Sequence, residues 1–165
     1  MLKLTAPCLD MIRRHAEREY PRECCGLLVG RISDGGRTRE VSEVCEVENA
    51  FEEGERHHRM AIPPLEYARA ERLYAGRGLG VVGNYHSHPE HPAEPSRFDL
   101  ENLAPWTTMS YVVVSVRGGR SAELRSWELA ADRSRFTEEP VATLEAEGPV
   151  TTSETKETAP KEGEL

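Results

Sequence analysis

Residues 79–88 have the sequence Leu-Gly-Val-Val-Gly-Asn-Tyr-His-Ser-His, and they constrain the fold more than any other segment of the chain. The short apolar run predicts a strand at the centre of a sheet, and prolines at 89, 92 and 95 stiffen the loop that follows it. Side chains two residues apart on a strand project from the same face. The segment therefore predicts a strand that brings His86 and His88 side by side where it enters a rigid loop.

Helices and strands alternate along the rest of the chain, which predicts an α/β or α+β fold. Thr5 is suited to cap a first helix with Pro7 in its opening turn, and Pro63-Pro64 opens a second helix. The first helix is expected to bury Cys8, Met11, Ile12, His15 and Ala16. Strands are expected over residues 23–30, 38–48, 79–88, 111–116 and 122–129 and at Phe136, with a further helix over residues 96–103.

Size and charge exclude several classes of protein. The chain has 165 residues and a mass of 18.5 kDa, enough for one domain with a hydrophobic core. A net charge of −8 argues against binding nucleic acid through phosphate neutralisation. No segment approaches the roughly 20 apolar residues of a membrane-spanning helix, and the first residues lack a basic segment followed by an apolar run. We therefore expect a cytoplasmic protein without nucleic-acid or membrane partners.

The composition changes after Pro140. Residues 141–165 consist mainly of Thr, Glu, Gly, Pro and Lys without apolar periodicity, and residues 145–165 carry six acidic residues and two lysines. Such a segment has too little apolar surface to offset the entropy lost on ordering. We expect one domain over residues 1–140 and an acidic, disordered tail over residues 141–165.

The four cysteines, at positions 8, 24, 25 and 45, form no Cys-x-x-Cys pair. Neighbouring residues of a strand point to opposite faces, so Cys24 and Cys25 are poorly placed to share one metal. We expect reduced, mostly buried thiols, since free cysteine behaves as a small hydrophobic residue.

Two imidazoles and one carboxylate are a common ligand set for catalytic zinc, with the fourth position left to water. Asp99 supplies the carboxylate if the proline-rich loop folds back toward the end of the strand that carries His86 and His88. Ser96-Arg97-Phe98-Asp99 also fits a helix capping box, with Ser96 at the N-cap and Asp99 at N3. The two interpretations are compatible, because Ser96 can cap the helix while Asp99 turns to the metal.

These residues, together with Glu23 in Glu-Cys-Cys-Gly-Leu-Leu-Val-Gly, closely resemble the signature of the JAMM (MPN-plus) metalloprotease family. That signature is a glutamate on an early strand, then His-Ser/Thr-His-Pro and a spaced Ser-x-x-Asp, and the resemblance covers residues 4–139. It implies a zinc hydrolase with an MPN fold, a curved sheet flanked by helices. By position, it implies that His86, His88 and Asp99 bind one zinc ion, that Glu23 is the general base, and that Ser96 stabilises the water or the oxyanion.

The compact chain is similar to the small prokaryotic branch of that family. The resemblance to this branch implies a protease that cuts after the C-terminal Gly-Gly of a ubiquitin-like sulfur carrier of the ThiS/MoaD type, with the carrier or its conjugates as partner. Three alternatives stay open: a non-catalytic MPN scaffold, a deubiquitinase-like isopeptidase for other ubiquitin-like modifiers, and a structural zinc site closed by a fourth protein ligand.

Other enzyme classes lack their signatures in this sequence. There is no His-Glu-x-x-His of zincin proteases, no Pro-Cys-x-x-Cys of zinc deaminases, and neither a Gly-x-Ser-x-Gly nor a P-loop. His57 and His58 are expected in loops, and His91, inside the proline-rich loop, is a candidate for lining the cleft.

Overall fold

The computed structural model describes residues 1–103 and 106–144. Helices and strands alternate along these residues, as predicted. The described part contains helices α1 (Ala6–Glu19), α2 (Pro64–Tyr74) and α3 (Arg97–Asn102). Its strands are β1 (Leu2–Thr5), β2 (Cys25–Ser33), β3 (Thr38–Val47), β4 (Gly80–Pro89), β5 (Ser110–Arg117), β6 (Arg120–Leu129), β7 (Phe136–Glu139) and β8 (Val141–Leu144).

The strands of the described residues form one mixed sheet in the order β7-β6-β5-β4-β2-β3-β1-β8. β4 is parallel to β5, and β1 is parallel to β3 and β8, whereas the other neighbours are antiparallel. The two edge strands, β7 and β8, are separated in the chain only by Pro140. The sheet must therefore curl until its edges nearly meet, which confirms the predicted curved sheet.

A buried arginine connects the ends of the curled sheet. Arg39 on β3 forms ion pairs with Glu128 on β6 and with Glu139 on β7, the latter with 3.4 Å between Nη1 and Oε2. Glu139 also accepts a 2.7 Å hydrogen bond from Ser126 Oγ and lies 3.0 Å from the amino group of Met1. A carboxylate buried this deeply needs such partners, because an unpaired charge is strongly unfavourable in a protein interior.

Helices cover both faces of the sheet. Leu28 on β2 belongs to the hydrophobic cluster that includes the inward face of α1. Its neighbours Leu27 and Val29 belong to a second cluster, with Ala70 of α2. Since successive residues of a strand point to opposite faces, α1 and α2 lie on opposite sides of β2. The central strands are thereby shielded from water, which suits a site built from polar side chains at their ends.

Helix α1 begins as predicted, because Thr5 Oγ1 accepts a 3.4 Å hydrogen bond from the Cys8 amide. Its buried residues are Cys8, Ile12, His15 and Ala16. Met11 was predicted among them and is instead 42% exposed. Neighbouring residues of a helix lie about 100° apart, so Met11 projects beside Ile12 toward solvent.

Three sequence-based boundaries differ from the structure. β2 begins at Cys25, so Glu23 lies two residues before the strand and not on it. The first strand, β1, has no predicted counterpart. β8 lies inside the segment predicted as a tail: it pairs with β1, and the sheet continues four residues beyond Pro140. Both strands are short, and their pairing is decided by distant partners. Residues 145–165 of the predicted tail lie outside the described residues.

The cysteines are free thiols, three of them buried and Cys45 partly buried, as predicted. Burial raises the pKa of the Cys24 thiol to about 12. Across residues 1–103 and 106–144, none of the helices combines the length and apolar character needed to cross a membrane.

We expect Arg39→Met to lower the free energy of unfolding by about 3 kcal/mol, because it leaves the buried Glu139 carboxylate without its guanidinium partner. Denaturant unfolding measures the change. Arg125→Met is the matched control, since its ion pairs with Glu94 and Glu138 are solvent-exposed and worth about 1 kcal/mol or less. Equal losses in the two variants would contradict the role given to Arg39.

Candidate metal centre

Strand β4 delivers the two histidines to one place. His86 pairs with Cys25 of β2 on one side and with Val113 of β5 on the other, so the backbone of β4 is held from both sides. His86 and His88 are two residues apart, and both are buried. Their Nε2 atoms are 3.0 Å apart, as the alternation of side chains along the strand predicts.

The loop after β4 is tied to the sheet through its backbone. The carbonyl of His91 accepts a 2.7 Å hydrogen bond from Ser115 on β5, and that of Ala93 accepts a 3.1 Å bond from the indole of Trp127 on β6. The carbonyl of Pro92 lies 3.0 Å from Nδ1 of His88. The loop is therefore held by tertiary hydrogen bonds as well as by its prolines.

The loop leads into α3, whose first turn contributes the carboxylate. Ser96 is the N-cap, and its Oγ accepts a 3.1 Å hydrogen bond from the Asp99 amide. Asp99 Oδ2 in turn accepts a 2.6 Å bond from the Ser96 amide. Both halves of the predicted capping box are thus present. Asp99 nevertheless lies close to the histidines, so the capping interpretation and the metal-ligand interpretation are compatible, as predicted.

Three electron-pair donors converge at the end of β4. Asp99 Oδ2 lies 3.4 Å from Nε2 of His86 and 3.3 Å from Nε2 of His88. Ligands about 2.1 Å from a tetrahedral zinc ion are separated by about 3.4 Å. The separations and the nitrogen–oxygen donor set therefore fit a metal such as zinc, and the three residues form the candidate metal group of the described residues.

The side chains of this group shift one another's pKa values. Burial opposes ionisation of Asp99, yet His86, His88 and the Ser96 amide together hold its pKa well below the usual range, so the carboxylate stays charged. Burial lowers the pKa of His86, but the Asp99 carboxylate outweighs it and the net shift is upward. Pro92 O can only accept a hydrogen bond, so the contact places a proton on His88 Nδ1, and in the neutral ring Nε2 is then the atom that can bind a metal. His86 Nδ1 has no hydrogen-bond partner among the described residues.

Glu23 is positioned by hydrogen bonds of its own backbone and of its neighbour. Its amide donates to Arg56 O at 2.6 Å, and its carbonyl accepts from the Asn49 side chain at 3.1 Å. The next amide, that of Cys24, donates to Oγ of Ser87, the residue between the two histidines, at 2.8 Å. The Glu23 side chain is buried, which raises its pKa to about 7. It lies outside the three-residue metal group.

A cavity of about 630 Å³ opens beside these residues. Glu23, His88 and Ser96 of the predicted site line it, and so does His91, which confirms the cleft position considered for that histidine. The wall also contains His58, Arg59 and Phe98, which the sequence analysis did not assign to the site. His58 and Arg59 lie in a segment without a motif, and Phe98 is one of the two unspecified positions of Ser-x-x-Asp, so only the fold reveals that these side chains reach the cavity.

The fold and this geometry agree with comparisons to known proteins. A family model described as prokaryotic homologs of the JAB domain matches residues 5–130, well over half of the chain. The chain belongs to this family. The JAB/MPN family is generally zinc-dependent, and the resemblance to JAMM (MPN-plus) proteins is confirmed.

Curated relatives in this family include peptidases. The CysO-cysteine peptidase of Mycobacterium tuberculosis is 31% identical over 159 residues, covering 88% of this chain and 92% of that protein. The probable TtuB-protein conjugate cleaving protease of Thermus thermophilus is 33% identical over 113 residues, covering 68% of this chain and 69% of that protein. Tail tip assembly protein K of Escherichia phage N15 is 32% identical over 107 residues, and the chain spans 38% of its length.

Solved structures share the fold. The solution structure of a Salinibacter ruber protein has a TM-score of 0.67 and 40% identity, covering 90% of this chain and 95% of that one. The crystal structure of a JAB1/MPN domain protein from Archaeoglobus fulgidus has a TM-score of 0.53 at 18% identity, covering 88% and 98%. This second likeness concerns the fold alone, and it confirms the predicted MPN architecture.

We expect His88→Ala to weaken zinc binding by at least about 100-fold, because even partners outside the ligand shell contribute 10–100-fold to metal affinity. Competition with a chelator of known affinity, followed by metal analysis, measures the effect. His91→Ala is the matched control, since His91 lines the same cavity without belonging to the metal group. Similar affinities in the two variants would contradict the ligand role of His88.

Proposed function

We propose that this protein is a zinc-dependent hydrolase that cleaves the peptide or isopeptide bond after the C-terminal Gly-Gly of a ubiquitin-like sulfur carrier of the ThiS/MoaD type. The observation that carries the proposal is the convergence of His86 Nε2, His88 Nε2 and Asp99 Oδ2 next to a cavity that His88 and Glu23 line. The names of the CysO-cysteine peptidase and the TtuB-conjugate protease support this class of substrate.

In this proposal His86, His88 and Asp99 hold one zinc ion per chain. Zinc, when bound, supplies a Lewis acid that activates water near neutral pH and polarises the scissile carbonyl. Within the described residues the group contains three donors, so a four-coordinate zinc ion held there would have one position open to water or substrate. That open position favours a catalytic site over a closed structural one.

Glu23 acts as the general base. Its carboxylate accepts a proton from the attacking water, whose oxygen adds to the carbonyl carbon. When the C–N bond breaks, Glu23 returns the proton to the leaving amine, so that a carboxylic acid and an amine are released. Its burial beside the metal group and its place in the cavity wall both support this role.

Ser96 assists at the carbonyl oxygen. Its Oγ accepts the Asp99 amide as the helix cap, which leaves the hydroxyl proton available, and the residue is exposed on the cavity wall. We propose that this O–H donates to the oxygen as negative charge develops on it, an effect worth about 3 kcal/mol in other hydrolases. The cap fixes the position of the hydroxyl, so little reorganisation is needed.

A glycine tail suits this cavity. Pro92, Pro95 and Phe98 form rigid parts of its wall, next to His88 and Ser96. An extended Gly-Gly segment presents no side chains to such a wall and adopts backbone conformations that other residues disfavour. The metal group and the buried Glu23 also favour an enzyme over a non-catalytic scaffold, because a scaffold needs neither of them.

We expect Glu23→Gln to retain about one zinc per chain and to lower single-turnover cleavage of a carrier fusion by about 10²–10⁴-fold, the usual contribution of a positioned base. Metal analysis and single-turnover kinetics on one preparation separate the two effects. Glu101→Gln is the matched control, because this glutamate lines the same cavity but pairs with Arg97 in solvent. Loss of zinc from Glu23→Gln would make Glu23 a ligand, and retained activity would place the base elsewhere.

We expect valine in place of the penultimate glycine of the carrier to reduce kcat/KM by at least about 100-fold, because its side chain displaces the scissile bond from the site. Steady-state cleavage of carriers with a C-terminal extension measures this. The same substitution several residues upstream of the Gly-Gly is the control and changes kcat/KM by less than about threefold. Comparable cleavage of all three carriers would indicate a general peptidase.

A further inference from the structure

Arg59 enters the cavity from the loop between β3 and α2. Its guanidinium lies over the Phe98 ring, 4.0 Å from the centroid, and Phe98 immediately precedes Asp99. Both side chains line the cavity with Glu23 and Ser96. The Arg59 side chain is 33% exposed, so it is partly shielded from water while it lines the space proposed for the substrate.

The side chain of Asn49 links the backbone at Arg59 to the backbone at Glu23. The Asn49 side-chain amide donates to the carbonyl of Arg59 at 2.9 Å and to that of Glu23 at 3.1 Å. The Asn49 Oδ1 accepts from the amides of Phe51 and Ala61 at 3.0 and 3.2 Å. One side chain thus joins the segment that carries Glu23 to the loop that carries Arg59, which gives both residues a defined position.

Arg59 has a long ion pair with Glu55, and its positive charge also acts on Glu23. In residues 1–103 and 106–144, its ionic contact is with Glu55, 3.8 Å from Nε, and the same carboxylate oxygen lies 2.9 Å from His58. Other charged side chains of the wall have close partners: Arg97 with Glu101 at 2.7 Å, and Glu94 with Arg125 at 2.7 Å. Arg59 is therefore the arginine of the cavity that is ready to bind an anion.

The chemistry of the proposed substrate indicates which anion Arg59 binds. A guanidinium whose face rests on an aromatic ring keeps its N–H edge open, and that edge matches the two oxygens of a carboxylate. Such bidentate, charge-assisted hydrogen bonds are among the strongest in proteins. An amino acid joined through its α-amine carries a carboxylate two bonds from the scissile nitrogen. A lysine joined through its ε-amine carries its backbone carbonyl much farther away, within an uncharged amide.

We propose that Arg59 binds the free α-carboxylate of a single amino acid attached after the Gly-Gly of the carrier. The preferred substrate class is then a carrier–amino-acid adduct, and conjugates joined through lysine side chains are poorer substrates. This inference rests on the proposed function and deepens it. It makes Arg59 a specificity-determining residue on the leaving-group side of the scissile bond.

The test compares two substrates that differ only in this charge. A ThiS/MoaD-type carrier activated as a C-terminal thioester is ligated either to cysteine or to cysteinamide, and kcat/KM is measured for both. We expect the wild-type protein to prefer the acid by about 10-fold or more, the usual effect of one charge-assisted hydrogen-bonded pair. Arg59→Gln should bring the ratio close to one, mainly by raising KM for the acid, and Arg59→Lys should leave an intermediate ratio.

The matched control is Arg97→Gln, which removes a positive charge from the same cavity wall but one already paired with Glu101. Arg97→Gln should keep the wild-type ratio of kcat/KM between the cysteine and cysteinamide substrates. If substituting Arg59 alters folding or Glu23, kcat/KM changes by the same factor for both substrates, so the effect cancels in their ratio. A wild-type ratio near one, or an unchanged ratio in Arg59→Gln, overturns this inference alone. If the zinc-loaded wild-type protein cleaves neither substrate, the proposed function fails and the inference fails with it.

Discussion

The centre of this protein depends on one arrangement: two imidazoles and a carboxylate, all buried, with their donor atoms within 3.4 Å of one another. A buried carboxylate is unfavourable unless it is paired, and Asp99 is paired with both histidines and with the Ser96 amide. Donor atoms must also be held to about 0.5 Å if they are to bind a metal together. Much of the surrounding structure supplies that rigidity.

Hydrogen bonds to the backbone make each segment of the site rigid. β4 is paired on both sides, and the loop after it is tied through its carbonyls to Ser115 and Trp127. The capping box fixes the first turn of α3. Asn49 fixes the segments of Glu23 and Arg59 against each other. Each of these contacts joins residues far apart in the chain or sets a helix end, so the proposed catalytic and specificity-determining side chains rest on one rigid frame.

The curled sheet places β4, the strand that carries the two histidines, in its interior. Because β7 and β8 are joined by a single residue, the two edges of the sheet are brought together, and β4 lies in the interior of the strand order. Arg39 stabilises the closure by pairing with carboxylates on β6 and β7. A charged contact there is specific to one register, since a shifted strand leaves Glu139 buried without its partners. The closure thus stabilises the curled sheet, and the interior strand β4 carries the two histidines of the metal group.

Most strands and helices were predictable, because their apolar periodicity, proline-glycine turns and caps are local. So were the pair His86 and His88 and the capping box of Ser96 and Asp99, since H-x-H on a strand and Ser-x-x-Asp at a helix start each have one local geometry. The approach of Asp99 to the histidines depended on how the loop between them folds. By itself the sequence thus determined the alternation of helices and strands, the histidine pair and the helix cap. Only the tertiary structure decided that Glu23 lies before β2, that β8 completes the sheet beside β1, and that Arg59 and Phe98 meet in the cavity. These features depend on contacts between distant segments, and no local preference of the backbone encodes which segments will meet.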